Sequence, residues 1–304
     1  MMTKKRLMVG GVILFVLSSV FTYYFYQYSV SVDGVVHRTE IIVPSDSTGD
    51  GKEVIYISVI SRYPPNIIYR GYQPLLDYMT SRTPYRFKLK LCTDYNEAVR
   101  MLITKQAAAA FLGSYVYIKA HEEHGVIPIL KPLNSNHEPF SRSVLFTAGT
   151  NSVYSVNDLR GKRIALPSEE SYSANWLLHS VLKNHGLQTQ DLGAAENFAH
   201  HQTVIDNVMR GAFDAGVTRE HLIERIRNRN VRVLMYSDPF PSSPIVVAQD
   251  HSRPVVEAIT EALLSVKRLD SGPDDVTKGW DNEFIYGFVK ASDADYDAVR
   301  AIRR

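Results

Sequence analysis

Short apolar runs alternate with amphipathic stretches along most of the chain. The run VIYISVI (54–60) predicts a buried strand, and YQPLLDYMTSR (72–82) predicts a helix with one apolar face. RFKLKLCT (86–93) and NEAVRMLITKQ (96–106) repeat this order, and the pattern continues to VIPILKPL (126–133). Such alternation of strands and helices predicts an α/β fold with a mostly parallel sheet whose faces are covered by helices.

A second alternating set follows a loop-like stretch at 136–140. It begins with the strand-like run RSVLFTA (142–148) and extends to VRVLMYS (231–237). PSSPIVVAQ (241–249) then predicts a strand that returns to the first set. The aromatic stretch TKGWDNEFIYGFVKA (277–291) shows neither period and predicts a loop.

The two sets predict two α/β lobes, with the second inserted into the first. The first lobe comprises residues 54–141 and 245–304, and the second comprises 142–244. Two segments, near 142–146 and 239–247, are expected to cross between the lobes. Because α/β proteins bind ligands at the carboxyl ends of their strands, we expect a ligand site in the cleft between the lobes.

The first 32 residues differ in character from the rest of the chain. Lys4, Lys5 and Arg6 precede an uncharged, largely apolar run over 7–32 that ends in several tyrosines. These features predict a single transmembrane helix that anchors the chain in the cell inner membrane, with its N-terminus in the cytoplasm. A cleaved signal peptide is the alternative, and in either case the later residues would lie in the periplasm. Ser, Asp and Gly dominate much of the following segment, 33–53, which predicts a linker.

Charge and cysteine content narrow the function classes. The 304 residues carry a formal net charge of +2, and no nucleic-acid-binding motif is present, so we expect no nucleic-acid partner. Cys92 is the one cysteine and cannot form an internal disulfide. It lies in a strand-like apolar run, which predicts a buried structural thiol.

The segment 158–186 carries the clearest candidate chemistry. A strand over 162–166 is followed by a polar loop and a helix that opens at Ser171, Tyr172 and Ser173. Hydroxyl groups and free backbone N–H groups at a helix start can hold an anion, although they can equally serve as an ordinary helix cap.

Motifs of catalysis are lacking in the sequence. His121 and His124 are spaced i, i+3, whereas zinc-protease helices need histidines at i and i+4 in H-E-x-x-H. G-x-S-x-G, a P-loop and spaced Cys/His clusters are also lacking. We therefore expect a protein that is not an enzyme and that uses neither a cofactor nor a metal.

Seven segments together show a family resemblance. The chain resembles the periplasmic solute-binding proteins for phosphate, phosphite and phosphonate (the PhnD-like family) from about residue 54 to its C-terminus. The resemblance implies a type II periplasmic-binding-protein fold that closes on its ligand like a hinged clamp. The matching segments, in family order, are YRGYQPLLDYM, AAFLGSYVYI, FSRSVLFTA, DLRGKRIALPSEESYSANWLL, AHHQTVIDNVMRGAFDAGVT, DPFPSSPIVV and GFVKASDADYDAVR.

The resemblance assigns ligand-binding roles in the second lobe. The anion loop of the family, S-T-S-G, matches Ser171, Tyr172, Ser173 and Ala174, so a tyrosine replaces the threonine and an alanine replaces the glycine. Two acids, at 169 and 170, stand directly before this loop.

Further matches in the second lobe concern histidine and acid positions. The histidine that helps to bind the anion in the family matches His201, and its neighbour His200 is interpreted as a solvated loop residue. Asp214 matches an acid of the family that precedes the cleft, and Thr218 is the alternative polar contact.

First-lobe residues are also expected at the cleft. Ser114 and Tyr115 match a strand-to-helix turn of the family, where Ser114 would cap the helix and Tyr115 would cover the ligand. A capped helix with a core tyrosine is the alternative. Tyr63, after the first strand, should overlook the cleft, and Arg142 at the first crossing could contact an anion or form a hinge ion pair.

These inferences combine into one functional hypothesis. The chain is expected to capture a small oxyanion, such as a phosphonate, phosphite or phosphate-like solute, for the permease of an ABC transporter. A ligand-sensing module for a membrane signalling protein is one alternative. A degenerate binding fold used only for protein interaction is another.

Overall fold

A computed structural model of the chain describes residues 18–24, 51–266 and 276–303. The chain divides into two units, residues 1–51 and 52–304, and within the first unit the described residues 18–24 are helical. Over the described ranges, no helix combines the length and the apolar character needed to cross a membrane. Most of the predicted anchor (1–32) and of the predicted linker (33–53) lies outside those ranges.

Strands and helices alternate through the second unit. The strands are β1 (Glu53–Val59), β2 (Tyr85–Leu91), β3 (Ala109–Phe111), β4 (Ile127–Pro132), β5 (Phe140–Ser141), β6 (Ser143–Ala148), β7 (Arg163–Leu166), β8 (Ala194–Asn197), β9 (Ala215–Arg219), β10 (Val231–Tyr236), β11 (Phe240–Pro241), β12 (Ile245–Val247) and β13 (Phe288–Lys290). The helices are α1 (Pro65–Arg82), α2 (Tyr95–Ile103), α3 (Ser114–His124), α4 (Tyr172–Asn175), α5 (Leu182–Asn184), α6 (His201–Met209), α7 (Glu220–Glu224), α8 (Arg253–Leu264) and α9 (Asp297–Arg303). A π-helical turn, Trp176–Val181, joins α4 to α5.

Helix α1 begins earlier than the hydrophobic pattern predicted. Pro65 is its first residue and Pro64 precedes it in an extended conformation. Proline is favoured at the first helical position because its fixed φ suits the helix and its missing N–H is not needed there. The two prolines therefore start this helix seven residues before the predicted position.

The larger sheet has six strands in the order β13-β4-β12-β3-β1-β2. Strand β1 pairs in parallel with β2 and β3, whereas β12 is antiparallel to both β3 and β4, and β13 is antiparallel to β4. The sheet is thus mixed: β1, β2, β3 and β4 run in one direction, as the prediction of a mostly parallel sheet requires, and β12 and β13 run in the other. The alternating sequence pattern predicts only the strands that are connected by helices. Strand β12 is added later, between β3 and β4, after the chain has returned from the second sheet.

The second sheet has five strands in the order β10-β6-β9-β7-β8. Strand β7 is parallel to β8 and β9, and β6 is antiparallel to β9 and β10. The chain passes between the two sheets through β5 and again through β11, and these short strands pair with each other. We refer to the space between the carboxyl ends of β1, β3, β7 and β9 as the cleft.

The stretch predicted as a loop at 277–291 contains strand β13 at the edge of the six-stranded sheet. Before this strand, Phe284 is buried, and its ring lies 4.9 Å from that of Tyr72 and 5.2 Å from that of Phe111. Aromatic pairs in this edge-on or tilted arrangement add to the energy of burial. They fix the backbone of the segment that carries Asp281 and Glu283 at the cleft.

Candidate functional site

A serine-rich loop follows strand β7 and opens helix α4. Ser171 caps the helix, and its Oγ accepts a hydrogen bond from the backbone N–H of Ser173 at 3.2 Å. The Oγ of Ser173 lies 2.7 Å from that of Ser143 on β6, and all three serines are buried. The loop is therefore both a helix cap and a group of inward-facing hydroxyls at the carboxyl end of the sheet.

His201 lies beside this loop at the first position of helix α6. Its Nε2 lies 3.4 Å from the Oγ of Ser171, and its Nδ1 lies 3.0 Å from the Oγ1 of Thr218. Burial, followed by the charges of Arg219 and Arg62, lowers the pKa of His201 well below its ordinary value. The imidazole is therefore neutral near pH 7 and can offer one N–H donor and one acceptor.

Two arginines face the serine loop. Arg62 follows β1 of the six-stranded sheet, and Arg219 ends β9 of the five-stranded sheet. Both line a cavity of about 20 Å³ together with Ser171, Ser173 and His201. A water molecule needs roughly 10–15 Å³ of such space, so the cavity has the size of one small group.

Glu283 joins the two arginines. Its Oε2 lies 2.7 Å from Nη1 of Arg62, and its Oε1 lies 3.0 Å from Nη1 of Arg219. The Oγ of Ser243 lies 3.3 Å and 2.9 Å from the same two nitrogens. Burial raises the pKa of Glu283, but the two guanidinium charges outweigh it and hold the pKa at about 2. We call Arg62, Arg219, Glu283 and Ser243 the arginine cluster.

Tyr172, which replaces the threonine of the family pattern, packs against the β5–β11 ribbon. Its ring stacks on Phe240 of strand β11, with centroids 3.7 Å apart and an interplanar angle of 27°. Burial raises the pKa of its phenol. Tyr172 therefore forms a wall of the 20 Å³ cavity and packs the five-stranded sheet against the β5–β11 ribbon.

Ser114 and Tyr115 make contacts that differ from their expected roles. Gly113, and not Ser114, precedes helix α3 as its cap, and the Oγ of Ser114 donates to the carbonyl of Pro241 at 2.8 Å. Ser114 still lines the 20 Å³ cavity. Tyr115 is half-buried and packs against the apolar cluster that contains Ile60. This placement matches the alternative interpretation of a core tyrosine.

Hydrogen bonds of Tyr63, His200 and His201 connect the two sheets across the cleft. The hydroxyl of Tyr63 lies 3.1 Å from Nε2 of His221. Nδ1 of His200 lies 2.8 Å from the carbonyl oxygen of Ser61, and the backbone N–H of His201 donates to the carbonyl of Arg62 at 3.2 Å. His200 is thus not the solvated loop residue that the sequence suggested, because it bonds to the opposite sheet.

Asp214 is not brought together with the other predicted site residues. It precedes β9, at the amino end of that strand, whereas Thr218 and Arg219 lie at the carboxyl end. Its Oδ2 accepts from the backbone N–H of Arg163 at 2.8 Å. Asp214 therefore holds two strand ends together away from the cleft, and Thr218, the alternative, is the residue that reaches His201.

The negative charge of Glu170, directly before the serine loop, is partly compensated by a lysine. Glu170 lines the 20 Å³ cavity, and its Oε1 lies 3.3 Å from Nζ of Lys119 on helix α3. This ion pair also spans the cleft. It reduces the repulsion that an acid at this position would exert on an anion.

Sequence reasoning missed the arginine cluster. Arg62 stands one residue before the predicted Tyr63, and Arg219 one residue after Thr218, so both were adjacent to residues that were considered. Ser243 lies in the family segment DPFPSSPIVV and Glu283 in the stretch predicted as a loop, and the sequence singled out neither residue. The available signal was positional, because charged residues directly after β1 and at the end of β9 must lie at the ligand edge of the sheets.

A second, larger cavity adjoins the cluster. Its volume is about 410 Å³, and its walls include Phe140, Arg142, Glu220, Glu283 and Tyr286. Arg142 therefore lines the larger cavity and not the one beside the serine loop. Among the described residues, no group of three or more His, Cys, Asp or Glu side chains could hold a metal ion.

The sequence model of one protein family matches residues 57–296. The family is described as the periplasmic substrate-binding protein of the phosphonate ABC transporter. The chain belongs to this family. Members of the family bind a small ligand and deliver it to an ABC transporter permease, and the family is one of transport components, not of enzymes.

Solved structures of phosphonate-binding proteins share the fold. A binding protein of an ABC phosphonate transporter from Pseudomonas aeruginosa is 15% identical, with a TM-score of 0.73 over 83% of this chain and 86% of that one. PhnD1 from Prochlorococcus marinus, in complex with methylphosphonate, is 17% identical, with a TM-score of 0.72 over 82% and 97%. A Xanthomonas citri protein bound to chloride is 17% identical, with a TM-score of 0.63 over 82% and 98%. These likenesses establish an α/β periplasmic-binding-protein fold with mixed sheets.

Proposed function

We propose that the chain captures a small oxyanion, such as a phosphonate, phosphite or phosphate-like solute, in the cleft and presents it to an ABC transporter permease. The observation that carries the proposal is the convergence of Ser171, Ser173, His201, Arg62 and Arg219 on one buried cavity. Hydroxyl, imidazole and guanidinium donors are the groups that oxyanions accept from, and charge-assisted bonds are worth roughly 1.5–3 kcal/mol each.

Ligand entry requires the two sheets to separate. A cavity of about 20 Å³ is too small for a phosphonate, whose phosphorus carries four substituents. The β5–β11 ribbon is the natural hinge, because the chain crosses between the sheets only there in the described range 52–266. Binding would then close a type II clamp of two lobes, 54–141 with 245–304 and 142–244, so that a partner in the membrane can recognise the loaded form.

We also propose that residues 1–32 anchor the protein in the inner membrane and that 33–53 tether the binding unit in the periplasm. The basic flank and the apolar run of the sequence support this arrangement. Fractionation of cells that produce the full chain tests it. The chain should remain in the membrane fraction after a high-salt wash, and a version shortened by signal cleavage in the soluble periplasm would contradict the anchor.

A second candidate function is a binding fold that serves protein interaction alone, either as a degenerate module or within a membrane signalling assembly. The tight stacking of Tyr172 on Phe240 favours it, because this contact fills space beside the serine loop. In that case small anions would not stabilise the protein.

A thermal-shift panel on the full chain separates these functions. Phosphate, phosphite, methylphosphonate, aminoethylphosphonate and a sulfonate are each added at concentrations up to the millimolar range. Oxyanion capture predicts that at least one of them raises the Tm and is recovered unchanged, since a ligand that binds the native state stabilises it. An unchanged Tm with every anion would contradict capture and support protein interaction.

A further inference from the structure

The arginine cluster holds a carboxylate in the manner in which a protein holds an oxyanion ligand. Each oxygen of Glu283 faces a different guanidinium, at 2.7 Å from Arg62 and at 3.0 Å from Arg219. The hydroxyl of Ser243 completes the arrangement between the two arginines. Two guanidinium groups and a hydroxyl around one pair of oxygens is also the donor set that binds phosphonates and carboxylates.

One carboxylate does not neutralise this cluster. Arg62 and Arg219 carry two positive charges against the one negative charge of Glu283, and the neighbouring His201 is neutral. Asp281 accepts from the backbone N–H of Glu283, and burial raises the pKa of its carboxyl. Within the described part of the chain, Nε of Arg62 is a buried donor without a hydrogen-bond partner. The cluster therefore retains donor capacity.

The position of the cluster relates it to both cavities. Arg62 and Arg219 line the 20 Å³ cavity beside the serine loop, whereas Glu283 lines the 410 Å³ cavity. Glu283 thus stands between a site for an anionic group and a space large enough for an organic substituent. Its side chain is the group whose movement would join the two.

We propose that Arg62 and Arg219 form an oxyanion subsite that Glu283 occupies as an internal competitor, and that the ligand is an organic oxyanion whose substituent lies in the 410 Å³ cavity. The proposal rests on the proposed function and adds the ligand class. On binding, the anionic group of the ligand replaces the Glu283 carboxylate on the two guanidinium groups. The substituent then contacts Phe140 and Tyr286, where it releases water from apolar surface.

Calorimetric titration of the full chain tests this competition. The probes are inorganic phosphate, methylphosphonate and phenylphosphonate, and the variants are Glu283→Gln and Glu283→Asp. Glu283→Gln removes the competing charge, and Glu283→Asp moves it away from the arginines because its side chain is one methylene shorter. Each variant is expected to bind phosphonate about tenfold more tightly than the wild type. Phenylphosphonate is expected to bind more tightly than phosphate, because only its substituent reaches the larger cavity.

Glu224→Gln is the matched control. Glu224 lines the same 410 Å³ cavity but is exposed, and it has no ion pair with the cluster. The variant removes the same charge and should change the affinity by less than about twofold. If Glu224→Gln raised the phosphonate affinity as much as Glu283→Gln, the gain would come from the loss of any nearby negative charge. That result would contradict the role of Glu283 as a competitor.

The remaining outcomes are also decisive. If the wild type binds phosphonates and both Glu283 variants bind equally or more weakly, Glu283 positions the arginines and the proposal is wrong. Tighter binding of phosphate than of phenylphosphonate would overturn the ligand class. If no probe binds either the wild type or any variant, the oxyanion function itself fails. Glu283→Asp keeps the charge that the buried arginines need for folding, so it remains informative if Glu283→Gln unfolds.

Discussion

Arg219 and Glu283 form an ion pair across the cleft, with Nη1 and Oε1 3.0 Å apart and both side chains 8% exposed. Arg219 ends a strand of the five-stranded sheet, and Glu283 precedes an edge strand of the six-stranded sheet. Replacing one partner of such a buried ion pair strongly lowers the stability of the protein, because the remaining charge stays buried without a partner. A change in the charge of the candidate site would therefore change how favourable it is for the two sheets to approach each other.

Ser173→Ala tests the serine loop. Removal of the buried hydroxyl should weaken oxyanion binding by about 1–2 kcal/mol, because one donor to the anion is lost. Calorimetric titration with the anion that gives the largest thermal shift measures the effect. Ser81→Ala is the control, since Ser81 is an exposed serine on helix α1 whose hydroxyl donates to a carbonyl of its own helix. Equal affinities in Ser173→Ala and the wild type would rule out the loop as the anion site.

The two buried histidines make stability depend on pH. Burial and the nearby arginines hold the pKa of His201 well below its usual value, and burial and Arg219 lower that of His221 to about 3. An unfolded histidine has a pKa of about 6.5, so below that pH the unfolded state binds more protons than the native state. The free energy of unfolding should therefore fall with decreasing pH, by about 1.4 kcal/mol per pH unit for each such histidine.

Urea unfolding between about pH 7 and pH 5 measures this dependence. His201→Asn should show a shallower loss of stability than the wild type. His124→Asn is the control, because His124 is exposed near the end of helix α3. A slope in His201→Asn that equals the wild-type slope would mean that the imidazole is charged in the native state.

Tyr172→Thr restores the residue of the family pattern in the serine loop. The variant loses the stacking on Phe240, which should lower the free energy of unfolding by about 2 kcal/mol. It also enlarges the small cavity and places a hydroxyl close to the backbone of the loop, so methylphosphonate affinity should rise. Tyr69→Thr, at an exposed position of helix α1, serves as the control. Weaker methylphosphonate binding in Tyr172→Thr would show that the ring itself contacts the ligand.

Cys92 should resist thiol reagents in the native protein. It is buried, and burial raises the pKa of its thiol to about 11, so very little thiolate is present at neutral pH. A disulfide reagent should modify it rapidly only after unfolding in denaturant. Rapid modification of the native protein would contradict the interpretation of Cys92 as a structural thiol.

The sequence predicted the elements around the site better than the site itself. Strand β7 and the serine loop follow from local signals, because apolar runs and capping hydroxyls act over a few residues. The antiparallel direction of β12 and the presence of β13 were not predicted, because both strands join the sheet by long-range pairing that no local pattern records. Register between distant strands depends on tertiary packing.

Local sequence patterns could not predict the arginine cluster either. Arg62, Arg219, Ser243 and Glu283 come from four separate segments and meet only when the two sheets approach each other. The sequence places Asp214 only four residues before Thr218, yet strand β9 separates their side chains along its length. Proximity in sequence was misleading for Asp214, and distance in sequence hid Glu283.

The most direct test of oxyanion capture is calorimetric titration of the full chain with methylphosphonate, for the wild type and for Arg219→Gln. Arg219 links the small cavity, the ion pair across the cleft and Ser243, so its loss removes one of the two guanidinium donors at the site. The account predicts saturable binding by the wild type and an affinity lower by about a hundredfold in Arg219→Gln. Absence of binding by the wild type, or the same affinity in both proteins, would contradict it.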